Sequence, residues 1–287
     1  MITINKETTK LFIFTIFALL FLALNSILCK AALVNNYIDA YSFTFFRLFF
    51  GAITLISLFY FKNKQFEISY KSNWITSFML FIYAICFSYS YIKLDAGFGT
   101  LLLFGVVQVV MLISSIFLKE KVNLQKVLGM MIAFVGLVFL LYPKQSFEIS
   151  YVHVLLMIIS AIAWAFYSIL GKKSTKAISN TMDNFIKATF FAIIFYLIIN
   201  IDEIYLSLNG ILLAFTSGSL TSALGYVIWY KVLPQIQIIT ASVIQLFVPI
   251  LAILFSVVFL NELFTFELAL STIIISIGIL LSIFSRK

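Results

Sequence analysis

The residues of this sequence that could carry chemistry are polar side chains placed singly in long apolar runs. Gln245 and Pro249 lie one helical turn apart in the run 238–262, and Gln108 lies in an earlier run that ends at Glu120. A proline inside a helix leaves one backbone carbonyl without its hydrogen bond, and lipid offers that carbonyl no other partner. This face of the helix is therefore predicted to contact protein or a water-filled cavity, where the glutamine amides could hold a solute.

Other neutral polar and aromatic side chains extend this candidate site. Because polar groups are costly in lipid, they tend to turn toward the interior of a helix bundle, and amides, hydroxyls and ring faces suit a zwitterionic or amphipathic solute. For the glutamines, the alternative is a hydrogen bond between helices worth about 1 kcal/mol or less; for outer tyrosines, it is the interfacial aromatic belt. The predicted substrate-binding residues are Asn25, Tyr89, Gln108, Trp164, Tyr167, Tyr226, Trp229 and Gln245.

Five further residues are predicted to have gating or structural roles: Arg47, Glu120, Lys187, Pro249 and Glu262. An unpaired cation at the centre of a bilayer costs on the order of 3 kcal/mol or more. Arg47, placed near the outer interface, and Lys187, placed near the inner one, are therefore expected to snorkel or to find a structural partner. Glu120 and Glu262, which end the two glutamine-bearing runs, are expected to cap helices or pair with loop cations rather than to act as gates.

Several kinds of chemistry are disfavoured by what the sequence lacks. By the predicted spans, none of the eleven acidic residues lies in mid-membrane, which favours facilitated or weakly coupled movement of a solute. There is no glycine-rich phosphate loop, so ATP drive on this chain is excluded. Two cysteines and one histidine provide no metal-ligand spacing and no catalytic cluster. Neither a metal nor another cofactor is expected, and an enzyme is disfavoured.

Composition places these residues in a membrane protein. The 287 residues are 63% hydrophobic and 10% charged, with a mean hydropathy of +1.13, which is more apolar surface than a soluble core could bury. The net charge of +8 is spread in short groups between apolar runs, so nucleic acid is not an expected partner. By the length needed to cross a bilayer, the predicted spans are 11–34, 41–61, 74–92, 97–118, 127–143, 152–171, 184–201, 210–230, 238–260 and 268–285.

An internal repeat organises these spans. Residues 26–30 resemble residues 168–172, and Gly136 and Gly278 are the same distance apart along the chain. Lysine and arginine fall mainly on one side of the membrane if both termini are cytoplasmic. Because each half contains five spans, an odd number, the halves have opposite orientations. The expected fold is all-α integral membrane, with ten transmembrane helices in two inverted five-helix repeats, 1–145 and 146–287, an arrangement common in transporters.

The order of several short motifs along nearly the whole chain is more specific than any one of them. The motifs are Phe-Phe-Arg-Leu around Arg47, the Gly-Val-Val-Gln stretch 105–108 with Lys119 and Glu120 after it, the Gly129 and Gly136 spacing, and the stretch 224–231. In this order the chain resembles the EamA-type branch of the drug/metabolite transporter superfamily. The resemblance implies an exporter of small metabolites, amino acids among them, that works by alternating access through a cavity between the halves.

Two further expectations concern setting and alternatives. The chain is expected in the plasma (inner) membrane, as a monomer or a homodimer in contact with lipid. The alternative function is a channel or an uncoupled pore, although no ring of charge or carbonyl loop of the kind that lines channels is visible. Saturable flux with trans-stimulation would separate a carrier from a channel.

Overall fold

The structure is a computed structural model that describes residues 6–63, 74–120, 123–141, 150–198, 204–261 and 266–283, and these residues are helical apart from short loops. The helices are α1 (Lys6–Val34), α2 (Ala40–Asn63), α3 (Trp74–Ser90), α4 (Ala96–Phe117), α5 (Leu124–Leu141), α6 (Tyr151–Gly171), α7 (Ala177–Ile198), α8 (Leu208–Thr216), α9 (Gly225–Val232), α10 (Ile238–Gln245), α11 (Phe247–Leu260) and α12 (Phe266–Ile283). A π-helical stretch, Ser217–Leu224, joins α8 to α9.

The prediction of an all-helical membrane protein is confirmed at this level. Among the described residues, seven helical segments are long and apolar enough to cross a bilayer, two of which combine shorter helices: Leu208–Gln235 and Ile238–Leu260. Three more helices, Trp74–Ser90, Leu124–Gly136 and Ala269–Ser282, are apolar but shorter. The count of ten spans and the division into two repeats therefore stay predictions.

One predicted boundary was wrong. The seventh span was expected to begin near residue 184, but α7 begins at Ala177. The polar residues of its first two turns suggested a loop, yet Thr181, Asp183 and Asn184 are buried against other helices. Asp183 is only 2% exposed, so an acidic residue does lie inside a membrane-length helix. Asp183 lies in the second turn of α7, so the absence of an acidic residue from mid-membrane, on which uncoupled transport was favoured, stays a prediction.

The single span expected around Pro249, Ile238–Leu260, has a local break about one turn before the proline. α10 ends at Gln245, α11 begins at Phe247, and Leu246 lies between them. Pro249 lies in the first turn of α11, where a missing backbone N–H costs little because the first N–H groups of a helix have no intrahelical partner. The proline therefore fits a helix start rather than a helix interior.

The helices enclose one main core. α1 packs on α9 and α11, α2 on α7 and the π-helical stretch, and α3 on α6. α5 and α12 form a separate pair at the side, where Gly129 and Gly278 allow the backbones to approach closely. Because the main core gathers helices from both halves of the chain, the polar faces of those helices can meet in the middle.

Loops between helices join the two halves at one end of the bundle. The backbone N–H of Asp39 donates to the carbonyl of Tyr205 at 3.1 Å, and Ile38 pairs with Leu206 in an antiparallel bridge. Asp39 also accepts from Tyr205 N through Oδ2 at 3.0 Å and from Ser42 N through Oδ1 at 2.8 Å. This end, where α1 ends and α2 begins, is held together by backbone pairing.

Candidate functional site

Asn25 is the hydrogen-bonding centre of a buried cluster between the helices. Its Oδ1 accepts from Ser217 Oγ at 2.7 Å and from Thr221 Oγ1 at 3.2 Å. Its Nδ2 donates to the hydroxyls of Tyr83 at 3.2 Å and Tyr226 at 3.5 Å. The π-helical stretch supplies both hydroxyl donors, and π-helical turns often occur at functional sites.

Arg47 is the only cation in this cluster among the residues that the structure describes. Its side chain is 1% exposed. Nη2 donates to Tyr226 Oη at 2.6 Å and Tyr83 Oη at 3.2 Å, and Nε donates to Ser222 Oγ at 2.9 Å. Of the two roles expected for Arg47, snorkelling to the outer interface does not fit its burial, whereas structural pairing agrees with these contacts.

Four aromatic rings form one wall of the cluster. Trp164 lies 4.9 Å from both Tyr83 and Tyr226 between ring centroids. Tyr167 continues the wall, 5.5 Å from Trp164 and 6.1 Å from Tyr226. Gln245 reaches the same wall, because its Oε1 accepts from Trp164 Nε1 at 2.7 Å. Such a surface offers ring faces and an amide to an amphipathic molecule.

We call this group the central cluster, and it comprises Asn25, Arg47, Tyr83, Trp164, Tyr167, Ser217, Thr221, Ser222, Tyr226 and Gln245. Five of the eight predicted substrate-binding residues belong to it: Asn25, Trp164, Tyr167, Tyr226 and Gln245. Its side chains come from both halves of the chain.

The other three predicted substrate-binding residues lie outside the central cluster. Gln108 Nε2 donates to the carbonyl of Met130 in α5 at 3.3 Å, so its amide acts between helices. Trp229 is fully buried and donates to Ser168 Oγ at 3.2 Å. Tyr89 is partly exposed at the edge of the core. A role in substrate binding for Gln108, Trp229 and Tyr89 stays a prediction, and their positions outside the central cluster do not support it.

Tyr83 is the α3 residue of the central cluster, and the sequence analysis selected Tyr89 instead. Tyr89 lies six positions after Tyr83, which is not a whole number of helical turns, so the two tyrosines point in different directions. Phe87, one turn after Tyr83, does share its face, at 5.3 Å between ring centroids. Polar residues and tyrosines occur on several faces of α3, with Ser88 and Ser90 beside Tyr89, so polarity did not single out Tyr83.

The two predicted intramembrane charges both have partners. Lys187 Nζ lies 2.7 Å from Asp183 Oδ2 and 5.1 Å from the centre of the Trp74 ring. Lys187 is 6% exposed, so pairing rather than snorkelling describes it. Asp183 was missed because the predicted helix began one residue after it.

Glu120 joins three helices at the end of the bundle opposite the Asp39 loops. Its Oε1 lies 2.6 Å from Lys172 Nζ, just after α6. Its Oε2 accepts from the backbone N–H of Ile238 at 2.9 Å, at the start of α10. These contacts agree with the expected capping and pairing by Glu120, whose role stays a prediction. Glu262 lies outside the described residues.

A concave space of about 980 Å³ opens at the Glu120 end of the bundle. We call it the vestibule, and its lining comprises Glu7, Lys10, Leu11, Phe14, Phe59, Lys62, residues 174–179, Tyr230, Lys231, Pro234 and Gln235. Four of these residues are lysines and one is a glutamate. Tyr230, which lines the vestibule, stacks on Tyr167 of the central cluster at 4.9 Å between ring centroids. The rings of Tyr230 and Tyr167 therefore lie between the vestibule and the other residues of the central cluster.

Comparison with known proteins assigns the chain to a family. The family model described as the EamA-like transporter family matches residues 9–142 and 152–284. The chain belongs to the EamA-like transporter family. This membership confirms the resemblance that the motif order suggested, and it makes the chain a multi-pass membrane transporter. Within the described residues, no group of three or more His, Cys, Asp or Glu side chains is placed to hold a metal ion.

Relatives of this EamA-family chain agree with the assignment. An uncharacterized protein of Pseudomonas aeruginosa is 40% identical over 86% of this chain and 85% of its own length. The uncharacterized transporter YoaV of Bacillus subtilis is 27% identical over 85% of this chain and 87% of its own. A crystal structure with 14% identity covers 95% of this chain and 97% of that chain at a TM-score of 0.74. At that identity the similarity applies to the fold alone.

Proposed function

We propose that this EamA-family protein is a secondary transporter that exports small metabolites, amino acids or other small amphipathic solutes, by alternating access through the central cluster. In this proposal ten transmembrane helices form two inverted repeats, 1–145 and 146–287, and both termini lie in the cytoplasm of a cell whose plasma membrane holds the protein. The solute binds between the repeats, and the substrate-binding residues are those that meet in the central cluster.

The observation that carries the proposal is that a buried polar and aromatic cluster lies next to a vestibule at one end of the bundle and is separated from the other end by backbone pairing. The vestibule leads to Tyr230 and Tyr167 at one end, while backbone pairing between Asp39 and Tyr205 joins the two halves at the other. A carrier needs a site that is closed toward at least one side at a time. In this conformation Tyr230 and Tyr167 separate the central cluster from the vestibule, so the cluster is closed toward both ends.

Repeated backbone geometry supports the inverted repeat. Lys119 and Asn261 each follow a long apolar helix, each directly precedes a glutamate, and each has φ 55°. A non-glycine residue in this left-handed region is uncommon. Its occurrence at matching places in the two halves is expected if both halves derive from one five-helix unit.

The same geometry disfavours the channel alternative. A channel requires a continuous polar path, whereas the side chains of Asn25, Tyr167 and Tyr226 are fully buried between the vestibule and the opposite end. Passage of a solute therefore requires rearrangement of side chains or helices. That requirement is typical of carriers, which show saturation and trans-stimulation.

Counterflow in proteoliposomes tests the proposal. Vesicles are loaded with unlabelled pools of amino acids, nucleosides or organic cations, and entry of the labelled equivalents is followed. We expect saturable counterflow with at least one pool, and we expect Gln245→Ala and Asn25→Ala to abolish it. Equal, unsaturable leakage of every pool would instead favour a pore.

The chain offers a matched control for the glutamine variant. Gln108 and Gln245 are both buried amides in helices of similar character, but Gln108 donates to Met130 and Gln245 contacts Trp164. Gln108→Ala should retain counterflow in protein that folds. If the two variants lose counterflow equally, the placement of the site at the central cluster is wrong.

A further inference from the structure

Among the residues that the structure describes, only neutral groups contact the buried charge of Arg47. Its guanidinium donates to the hydroxyls of Tyr83, Tyr226 and Ser222 and lies 5.3 Å from the ring centres of Tyr83 and Phe87. The described residues include no carboxylate in ion-pair contact with it, since their two buried or half-buried ion pairs involve Lys172 and Lys187. The positive charge of the central cluster is therefore uncompensated by the chain that the structure describes.

One nitrogen of the guanidinium is also without a hydrogen bond. Nη1 is buried and has no partner among the described residues, although Nε and Nη2 are fully engaged. A buried donor that makes no hydrogen bond costs free energy, and more so when the group is charged. The hydrogen bonds that the protein makes to Arg47 therefore offset only part of the free-energy cost of removing its side chain from water.

We infer that the solute carried by this protein bears a single carboxylate, and that Arg47 binds it through Nη1 beside the hydroxyls of Tyr83 and Tyr226. The inference rests on the proposed transport function and names its substrate class. A guanidinium matches the planar geometry of a carboxylate. One negative charge balances the one positive charge of the central cluster, whereas a phosphate dianion would leave an excess charge among neutral rings.

The rest of the central cluster fits the remainder of such a solute. Tyr226 contacts Arg47, the rings of Trp164 and Tyr167 pack against Tyr226, and the amide of Gln245 accepts from Trp164. A monocarboxylate with an apolar or aromatic portion and one further polar group would contact all of these. Simple aryl and hydroxy acids belong to this class, and L-amino acids share its carboxylate but carry an ammonium group as well.

The vestibule has the charge that an anionic solute requires. Lys10, Lys62, Lys176 and Lys231 line it with Glu7, and clefts lined by one sign of charge raise the local concentration of oppositely charged solutes. Lys10 and Lys231 both lie over the ring of Phe14, at 5.6 and 5.5 Å. The vestibule and Arg47 therefore favour the same charge, although they lie at different depths.

The test compares carboxylates with their uncharged or amidated equivalents. Proteoliposomes are loaded with a carboxylate pool (acetate, lactate, phenylacetate and L-amino acids) or with the pool of the corresponding amides. Phenyl phosphate forms a third arm. We expect wild-type counterflow to be about 10- to 100-fold faster with carboxylates than with amides, since hydrogen bonds to charged groups contribute about 1.5–3 kcal/mol. Arg47→Gln should reduce this ratio to near one.

Control variants separate recognition from folding. Tyr41→Phe removes another buried hydrogen bond of α2, from Tyr41 Oη to the carbonyl of Ala192 at 3.1 Å, away from the central cluster, and it should keep the preference for carboxylates. If Arg47→Gln does not fold, the thermal stability of purified wild-type protein decides: the carboxylate pool should raise the melting temperature and the amide pool should not.

The outcomes distinguish this inference from the proposed function. Equal counterflow of carboxylates and amides, a retained preference in Arg47→Gln, or saturable counterflow only with nucleosides, organic cations or phenyl phosphate would overturn the carboxylate inference and leave a carrier. Absence of saturable counterflow with every pool would overturn both.

Discussion

Replacement of Glu120 by alanine should lower the free energy of unfolding by about 2 kcal/mol. Its carboxylate accepts from Ile238 N at 2.9 Å, and loss of a helix cap costs about 1 kcal/mol. A negative charge at the N-terminus of α10 contributes about 0.5 kcal/mol more. The ion pair with Lys172 at 2.6 Å, whose side chains are 14% (Glu120) and 26% (Lys172) exposed, contributes about 0.5 kcal/mol.

The measurement is unfolding of the purified protein in mixed micelles by SDS, followed through loss of helical circular dichroism. Lys172→Met is the matched control, because it removes the ion pair and leaves the cap on α10. We expect Lys172→Met to cost about 0.5 kcal/mol, a quarter of the effect of Glu120→Ala. The double variant should be no less stable than Glu120→Ala alone, since the ion pair is already lost in that variant.

Two results would refute this reasoning. A cost below about 0.5 kcal/mol for Glu120→Ala would mean that water replaces the carboxylate at the start of α10 without penalty. Equal costs for Glu120→Ala and Lys172→Met would mean that the ion pair, not the cap, holds the ends of α4, α6 and α10 together.

Three further predictions concern the interior of the bundle. Asp183→Asn should cost about 3–5 kcal/mol in the same titration because it leaves Lys187 buried without the Asp183 carboxylate. The double variant Asp183→Asn with Lys187→Met should recover most of that loss. Equal costs for the single and the double variant would contradict this prediction. Gly218→Ala should cost about 1–3 kcal/mol, since its Cβ would meet the backbone carbonyl of Arg47, and an unfolding free energy within about 0.5 kcal/mol of wild type would show that α2 moves away freely. Pro249→Ala, which permits a continuous helix across the break after α10, should lower the initial rate of counterflow without preventing folding, and an unchanged rate would remove Pro249 from the mechanism.

Much of this protein follows from local features of its sequence. Long apolar runs require helices in a membrane because the backbone must satisfy its own hydrogen bonds there. Isolated polar residues in those runs turn inward because lipid cannot solvate them. These two rules were sufficient to select Asn25, Trp164 and Tyr226, which meet in the central cluster, and the order of the motifs was sufficient to identify the family.

The tertiary structure decided which way each helix faces and what each polar group contacts. A difference of one residue turns a side chain by about 100° around a helix, so polarity alone could not choose Tyr83 over Tyr89, or separate Gln245 from Gln108. Nor could it reveal that Tyr83, Tyr226 and Ser222 surround Arg47, because those partners come from distant parts of the chain. The sequence also did not show that Asp183 is buried. A helix that starts with polar residues resembles a loop in sequence, and only its packing against neighbouring helices shows that Asp183 is buried. The fold was therefore set by local chemistry, whereas the composition of the site was set by how helices from both halves of the chain rotate against one another.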